Sequence, residues 1–515
     1  MARIDIKSSN TGGGGGGGNL QLAGGASMTS TLTAVTDTSN VASPLLLSTG
    51  SVTARGLAGE VGSTAYGTEA LDATTTGIDN TAIGYGALTA DTTGSRNVAV
   101  GHESLLTNTT GSNNTAVGRH ALRASTANSN TAIGANSLLT NSTGGSNTAA
   151  GDSSMRSNTT GINNVAYGVD SLRSNTTAGN NTAVGVSALY TNTTGAGNTA
   201  IGKDSLRLNA TGTGNTALGY LALENNTNSN NTALGYRSLQ ANTSGSLNVA
   251  VGVDALMSNT TGSNNTALGY QALTTNITGI GNTAVGHLAL AATDSNQCTG
   301  IGREAGFANQ TGSVTVVGYQ AGFNNLSGEI TALGNAALRN NTTGARNTAV
   351  GNAAARANTT GTDNTALGFN ALIANTAAAH NTAIGSNAGL SINGGNHNTA
   401  VGRNALVFNV TGSSNTAIGR SALENTTSDN NTALGYQAGI ANTTGNSNTI
   451  LGQATVTGNF NGSVIIGREA TATASNQFVV GSAAYNAGAV NAAVVPQTKT
   501  WDVIINGVAQ KILLA

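Results

Sequence analysis

The chain has 515 residues, 72 of them glycine, and is nearly uncharged, with 20 Lys+Arg against 21 Asp+Glu. Aromatic residues make up 3 % and proline occurs twice. So few large apolar side chains exclude a multidomain globular enzyme, and so little proline excludes collagen. A net charge of −1 leaves no electrostatic footprint for nucleic acid or an anionic membrane surface.

In chain order, residues 1–60 stand apart. Met1–Ser9 lacks the apolar stretch of a signal peptide, and no window reaches the ~18 apolar residues of a membrane helix. The expectation is synthesis in a cytosol without membrane insertion and, for work outside a cell, exit by lysis or as part of a particle. Gly12–Gly18 is an unbroken glycine run, hence a flexible tether. Leu20–Gly50 alternates Thr/Ser with apolar residues and includes Leu45–Leu47, a strand signal. This segment is expected to be the attachment end.

From 61 to 481 the chain repeats. Asn-Thr-Ala-Val/Ile/Leu-Gly recurs in 26 copies between Thr64 and Gly481, 17 or 16 residues apart and closer at the end. Such a unit is too short for a helix pair or a propeller blade and fits one coil of a parallel β-solenoid. The residue before the glycine is aliphatic except at Tyr66, Ala150 and Tyr167, and Leu stands four residues after it in 17 copies. Each coil is therefore expected to bury the pre-glycine aliphatic and that Leu. The strand-centre Ala would then point away from the core and let neighbouring chains approach. The glycine is expected at positive φ. Asn-Thr-Thr-Gly reads as turn chemistry, and the Asn before each motif as a column whose amides bond from coil to coil. Two apolar residues per coil make a thin core for the entropy of ordering a whole unit. Chains are therefore expected to associate along their length, as a homotrimer about a threefold axis. Twenty-five intervals at ~4.8 Å give roughly 120 Å.

Three consecutive coils break the pattern. The Asn column becomes Cys298, Val314 and Ile330, and the Leu becomes Gly306-Phe307 and Gly322-Phe323. A changed cross-section, as a bend or a tighter chain interface, is expected there. Residues 482–515 are read as a cap: Trp501–Ile505 and Val508–Leu514 flank Asn506-Gly507, a hairpin signal. Trp501 is expected to seal the last coil.

The Asn-Thr-Ala-Ile-Gly units resemble the (Ser/Thr)-Val-Ala-Ile-Gly repeats in the heads of trimeric autotransporter adhesins, which form left-handed parallel β-rolls that trimerise. The fuller unit NTALGYQALTTNITGIGNTAVG (Asn265–Gly286) is similar to repeats of bacteriophage tail fibres. Met28–Gly50 resembles the segment before phage-fibre shafts, and Lys499–Ala515 a short terminal cap of such proteins. The likeness covers nearly the whole chain. It implies a structural fibre of a virus particle, spanning distance and attaching to a host surface. Its partners would be itself, a baseplate, tail or capsid protein through the N-terminal segment, and a host glycan or protein. The alternatives are a bacterial surface adhesin-like fibre, an ice-binding solenoid built on Thr and Asn columns, and a glycan-cleaving spike. The chain shows neither the signal peptide and membrane barrel of an autotransporter nor the self-cleaving chaperone that ends many phage fibres.

No catalytic residue, cofactor site or metal site is assigned. Glu103, Asp152, Asp170, Asp204, Asp254 and Glu304 follow the glycine by one or two residues. Successive coils rarely both carry one, so the paired carboxylates of a glycosidase are not suggested. His102 and His120 lie on neighbouring coils at shifted positions. The most varied position is the one just after the glycine: Tyr85, His102, Arg119, Tyr220, Tyr236, Tyr270, Tyr319, Arg403 and Tyr436. Tyr and Arg favour recognition surfaces, so this stripe is the candidate contact surface.

Overall fold

The computed structural model describes residues 62–73, 76–326, 328–482, 484, 500–505 and 508–513. It is all-β, a parallel β-solenoid with no helix among the described residues. The expected attachment end at residues 1–60, with the tether and strands expected there, lies outside them. The chain divides into two compact units, Met1–Asn136 and Ser137–Ala515. The first holds β1 (Thr64–Tyr66), β2 (Thr81–Ile83), β3 (Val98–Val100), β4 (Thr115–Val117) and β5 (Thr131–Ile133), each parallel to the next. The second runs from β6 (Thr148–Ala150) to β26 (Phe478–Val480) in the same way. Register is strict: Thr pairs with Thr and Ala with Ala, as in Thr266↔Thr283 and Ala267↔Ala284.

The coil beginning at Asn265 shows how sequence becomes cross-section. Asn265, Ala267, Ala272, Leu273 and Asn276 are each 0 % exposed, whereas Leu268 is 46 % exposed. The expectation is thus inverted. The strand-centre Ala faces inward and the pre-glycine aliphatic faces out, as at Ile133, Leu218, Leu234 and Ile418. The physical reason is volume. A one-coil interior has room for one large side chain, Leu273 fills it, and the strand residue opposite must be small. Close packing penalises anything larger.

The turn that carries this Leu is costly. Leu273 has φ 53°, a left-handed conformation that strains a branched L-residue by ~1–2 kcal/mol. Complete burial offsets that cost. The expected positive φ of the motif glycine holds: Gly269 has φ 140°, and a Cβ there would lie 2.5 Å from the Gly286 carbonyl oxygen in the next coil.

The rest of the interior is polar and saturated with hydrogen bonds. Two Asn columns run through it where one was expected. In the first, the Asn282 N–H donates to Asn265 Oδ1 (2.9 Å) and Asn265 Nδ2 donates to the Gly279 carbonyl (2.8 Å). Here the side chain bonds backbone; elsewhere in the column the amides also meet from coil to coil as expected, Asn114 Nδ2 donating to Asn97 Oδ1 and Asn415 Nδ2 to Asn398 Oδ1, both at 3.2 Å. A more regular amide-to-amide ladder runs through the second column, formed by the Asn of the turn segment. There Asn276 Nδ2 donates to Asn259 Oδ1 (2.9 Å) and Asn259 Nδ2 to Asn242 Oδ1 (2.8 Å). Buried amides are tolerable only when paired in this manner.

In the irregular stretch the parallel register passes through unbroken, from β15 (Thr299–Ile301) to β16 (Val314–Val317), β17 (Ile330–Leu333) and β18 (Asn347–Val350). What changes is strand length, four residues in the last three, and the filling of the interior. Cys298, Val314, Val316 and Ile330 are all buried. A short antiparallel pair, β27 (Thr500–Ile505) with β28 (Val508–Leu513), realises the expected terminal hairpin, with Ile505 opposite Val508. The sealing role expected of Trp501 lies outside what is described.

Candidate recognition face

Alternation along the strand sends the residues flanking the central Ala outward. Each coil therefore presents a Thr or Val, then an aliphatic, then the residue after the glycine. The aliphatics form a column: Ile201, Leu218, Leu234 and Leu268 are 37–46 % exposed. Hydrophobicity alone places this column inside. Its tolerance of Tyr66, Ala150 and Tyr167, side chains of very different size, is the signal of an outward position.

The residues of the expected recognition stripe lie on the surface. Tyr85, Tyr220, Tyr236, Tyr270, Tyr319 and Tyr436 are exposed, as are His102, Arg119 and Arg403. Neighbouring coils bring several into contact. Tyr85 stacks on His102 at 5.2 Å between ring centroids, Tyr220 lies 5.8 Å from Tyr236, and Tyr270 stacks on His287 at 5.3 Å. Cations complete the column: Lys203 over Tyr220, Arg303 over Tyr319 and Arg420 over Tyr436, at 5.5–5.7 Å. Each exposed cation–π contact contributes ~0.5–1 kcal/mol. Arg403 stands in the same column as Arg420, one coil earlier, and joins none of these stacks. Because ring faces meet each other along the column, ring edges, hydroxyls and guanidinium groups point outward.

The carboxylates considered for catalysis are mostly held by cations. Glu103 accepts from Arg123 Nε at 2.7 Å, Asp254 from Arg237 at 2.9 Å, and Asp170 lies 3.3 Å from Arg173. Asp204 is 3.6 Å from Arg207, and Glu304 is 3.1 Å from Arg303. The Arg123 guanidinium keeps the Glu103 carboxyl below its ordinary value. Burial, and then the Arg119 charge, lowers His120, while the charge of Glu69 raises Tyr85. Burial raises the lone thiol Cys298, whose Sγ approaches the Gly312 carbonyl at 3.4 Å. That is the carbonyl position an Asn amide takes in regular coils.

One grouping was not anticipated. His102 and His120, at shifted positions in the sequence, converge with Glu103, and the ligand atoms of the three all lie within 4.8 Å of one another. Compared with known protein families, curated proteins and solved structures, the chain matches no family model, no curated protein and no solved structure.

Proposed function

We propose that the chain forms the shaft of a structural fibre of the tail-fibre type, a component of a virus particle. It spans distance, assembles with two further copies of itself, and offers its post-glycine stripe to a host surface. The observation that carries this reading is the outward aliphatic column, repeated coil after coil. Soluble monomers rarely expose contiguous apolar area beyond a few hundred Å². Apposing the columns of three chains about an axis removes that area from water. On one flank the column meets only Thr, Val or Phe478, so apposition toward that side desolvates no charge. The stripe beside the column then faces outward. It offers tyrosine hydroxyls and guanidinium groups at coil spacing, a chemistry suited to a repeating polar ligand such as a surface glycan. The pairing of its carboxylates with arginine favours binding over glycoside cleavage.

Sedimentation equilibrium of the full chain tests the assembly. A trimer is expected, and replacing Leu218, Leu234 and Leu268 together by Asp should dissociate it. A stable monomer at micromolar concentration would refute the face as an interface. Labelling purified virus particles with an antibody to the chain tests the location, and particles free of the chain would remove the virion assignment. A second reading, ice binding, is favoured by the paired outward columns of Thr266/Thr283 and Leu268/Val285. Thermal hysteresis of the purified protein decides it, and its absence eliminates that reading.

A further inference from the structure

We infer that His102, Glu103 and His120 form a binding site for a divalent transition-metal cation of the zinc class, joining two consecutive coils of the first unit. The backbone sets the positions. His102 follows β3 by two residues, and His120 follows β4 by three. The His120 N–H donates to the His102 carbonyl at 2.8 Å, and the Glu103 N–H to the Tyr85 carbonyl at 2.8 Å. The coil ladder thus fixes both histidines on adjoining levels, with the carboxylate between them.

Side-chain geometry then converges. His120 Nε2 lies 3.4 Å from Glu103 Oε2. The two imidazoles are 5.5 Å apart and tilted by 58°, so they do not stack face to face. Tyr85 packs on His102 at 5.2 Å and steadies that ring. Arg123 Nε holds Glu103 Oε2 at 2.7 Å, the kind of outer contact that orients a ligating carboxylate. Ligands around zinc sit ~2.0–2.2 Å from the ion. The trio needs only to draw inward by side-chain rotation, and His102 is exposed enough to do so.

The donor set selects the ion. Two imidazoles and one carboxylate suit Zn²⁺, Co²⁺, Ni²⁺ or Cu²⁺, whereas Ca²⁺ and Mg²⁺ want oxygen throughout. Three protein ligands leave a coordination position for water or an outside donor. The remaining histidine pair of the repeat is an internal contrast. His380 and His397 stack in parallel at 4.8 Å with 2° between rings. Among the described residues no other trio of His, Cys, Asp and Glu converges in this way. Because an ion bound here bridges two coils, it ties their separation to its own release. The inference does not depend on the proposed assembly.

The test is Zn²⁺ titrated calorimetrically into the full chain, with Co²⁺ absorption reporting imidazole coordination. The expected result is one equivalent per chain, weakened about tenfold or more by His102→Ala, His120→Ala or Glu103→Gln and unchanged by His380→Ala. Hydrogen exchange of the coils from Leu88 to Leu122 should slow about tenfold at a free Zn²⁺ of ten times the dissociation constant. Unaltered exchange elsewhere in each variant verifies that it is folded. The proposal is overturned if no saturable binding occurs below about 100 µM, or if binding survives His102→Ala/His120→Ala and is lost in His380→Ala.

Discussion

The regular coil at Asn265 and the coils from Cys298 to Leu333 solve one packing problem in two ways. In the regular coil the large side chain comes from the turn, Leu273, and the strand supplies Ala267. In the irregular coils the turn supplies Gly306 and Gly322, and the strand supplies Val316. A Cβ on Gly322 would sit 2.8 Å from Val316 Cγ1 and 3.0 Å from Ile330 Cδ1, and one on Gly306 2.7 Å from Leu290 Cδ2. The vacated space is therefore already filled by β-branched neighbours and a shifted Leu. The same exchange recurs at Gly389, filled by Ile392, and at Gly439, filled by Ile450. In these coils the interior stays filled while the source of the filling moves. Glycine also relieves the left-handed strain that Leu bears at that position. The polar column yields in parallel: where Val314 and Ile330 replace Asn, those residues join the strand and pair directly.

The comparison breaks most visibly if the buried amides of the regular coils are dispensable. Asn259→Ala removes the acceptor of Asn276 Nδ2, the donor to Asn242 Oδ1 and the donor to the Gly262 carbonyl. Orphaned buried groups cost ~1–3 kcal/mol each, so a loss of about 3 kcal/mol or more is expected. Cys298→Ala, in a column already apolar above it, should cost under about 1.5 kcal/mol. Amide hydrogen exchange of the adjacent coils is the measurement, since solenoid coils contact only their neighbours and open locally. Equal costs at the two sites would mean that the Asn ladder carries no special weight.

Volume exchange is tested next. Val316→Ala should cost about 2 kcal/mol through the cavity it leaves over two glycines. Gly322→Leu should cost a similar ~1–3 kcal/mol by overpacking. Combined, the pair recreates the regular arrangement, and the double variant should recover at least ~1 kcal/mol of the summed losses. Additive losses would show that the two positions do not share one space.

How legible this was in the sequence depends on which physical quantity each residue reports. Coil length, coil number, the positive-φ glycine and the terminal hairpin follow from spacing and turn chemistry, which are local. Inside and outside do not, because Thr-Ala-Val alternation marks two faces without saying which one meets a core. Hydrophobicity points to the larger side chain, whereas a one-residue-wide interior selects the smaller. The discriminating signal is size tolerance within the repeat: Ala holds the strand centre in 21 of 26 copies, while its outward neighbour ranges from Ala150 to Tyr167. The second Asn column was hidden for a related reason. Asn in a turn is ordinary, and its burial at Asn158, Asn175 and Asn192 emerges only when coils stack. The His102, Glu103 and His120 cluster was hidden too, since a one-position offset in sequence is cancelled by the coil's curvature after the glycine.

A smaller effect sharpens the comparison at the edge of the irregular stretch. Thr293 occupies the second Asn column between Asn276 and Asn309, and its buried Oγ1 has no hydrogen-bond partner. Thr293→Asn would restore a donor toward Asn276 Oδ1, so a stabilisation of about 1 kcal/mol is expected. Slower exchange in the coils on either side would record it. No change would imply that the apolar neighbours have already closed the space an amide needs.

The smallest expected effect lies where the irregular coils give way to regular ones. Arg346, just before the restored Asn347, grips Asp363 of the next coil with two bonds, 2.7 Å from Nε and 2.9 Å from Nη2. The guanidinium holds the Asp363 carboxyl down to about 2, against an unfolded value of ~3.9. A depressed carboxylate stabilises the fold fully above its unfolded value and loses that contribution as pH falls through the folded one. The window is therefore pH 4 to 2, and added salt should shrink the effect because the pair is exposed. Local exchange around β18 and the coil after it should accelerate across that window in the native chain and stay flat in Asp363→Asn. If both chains respond alike, the junction is held by its packed interior alone, and the ion pair contributes nothing to the return from an apolar column to a polar one.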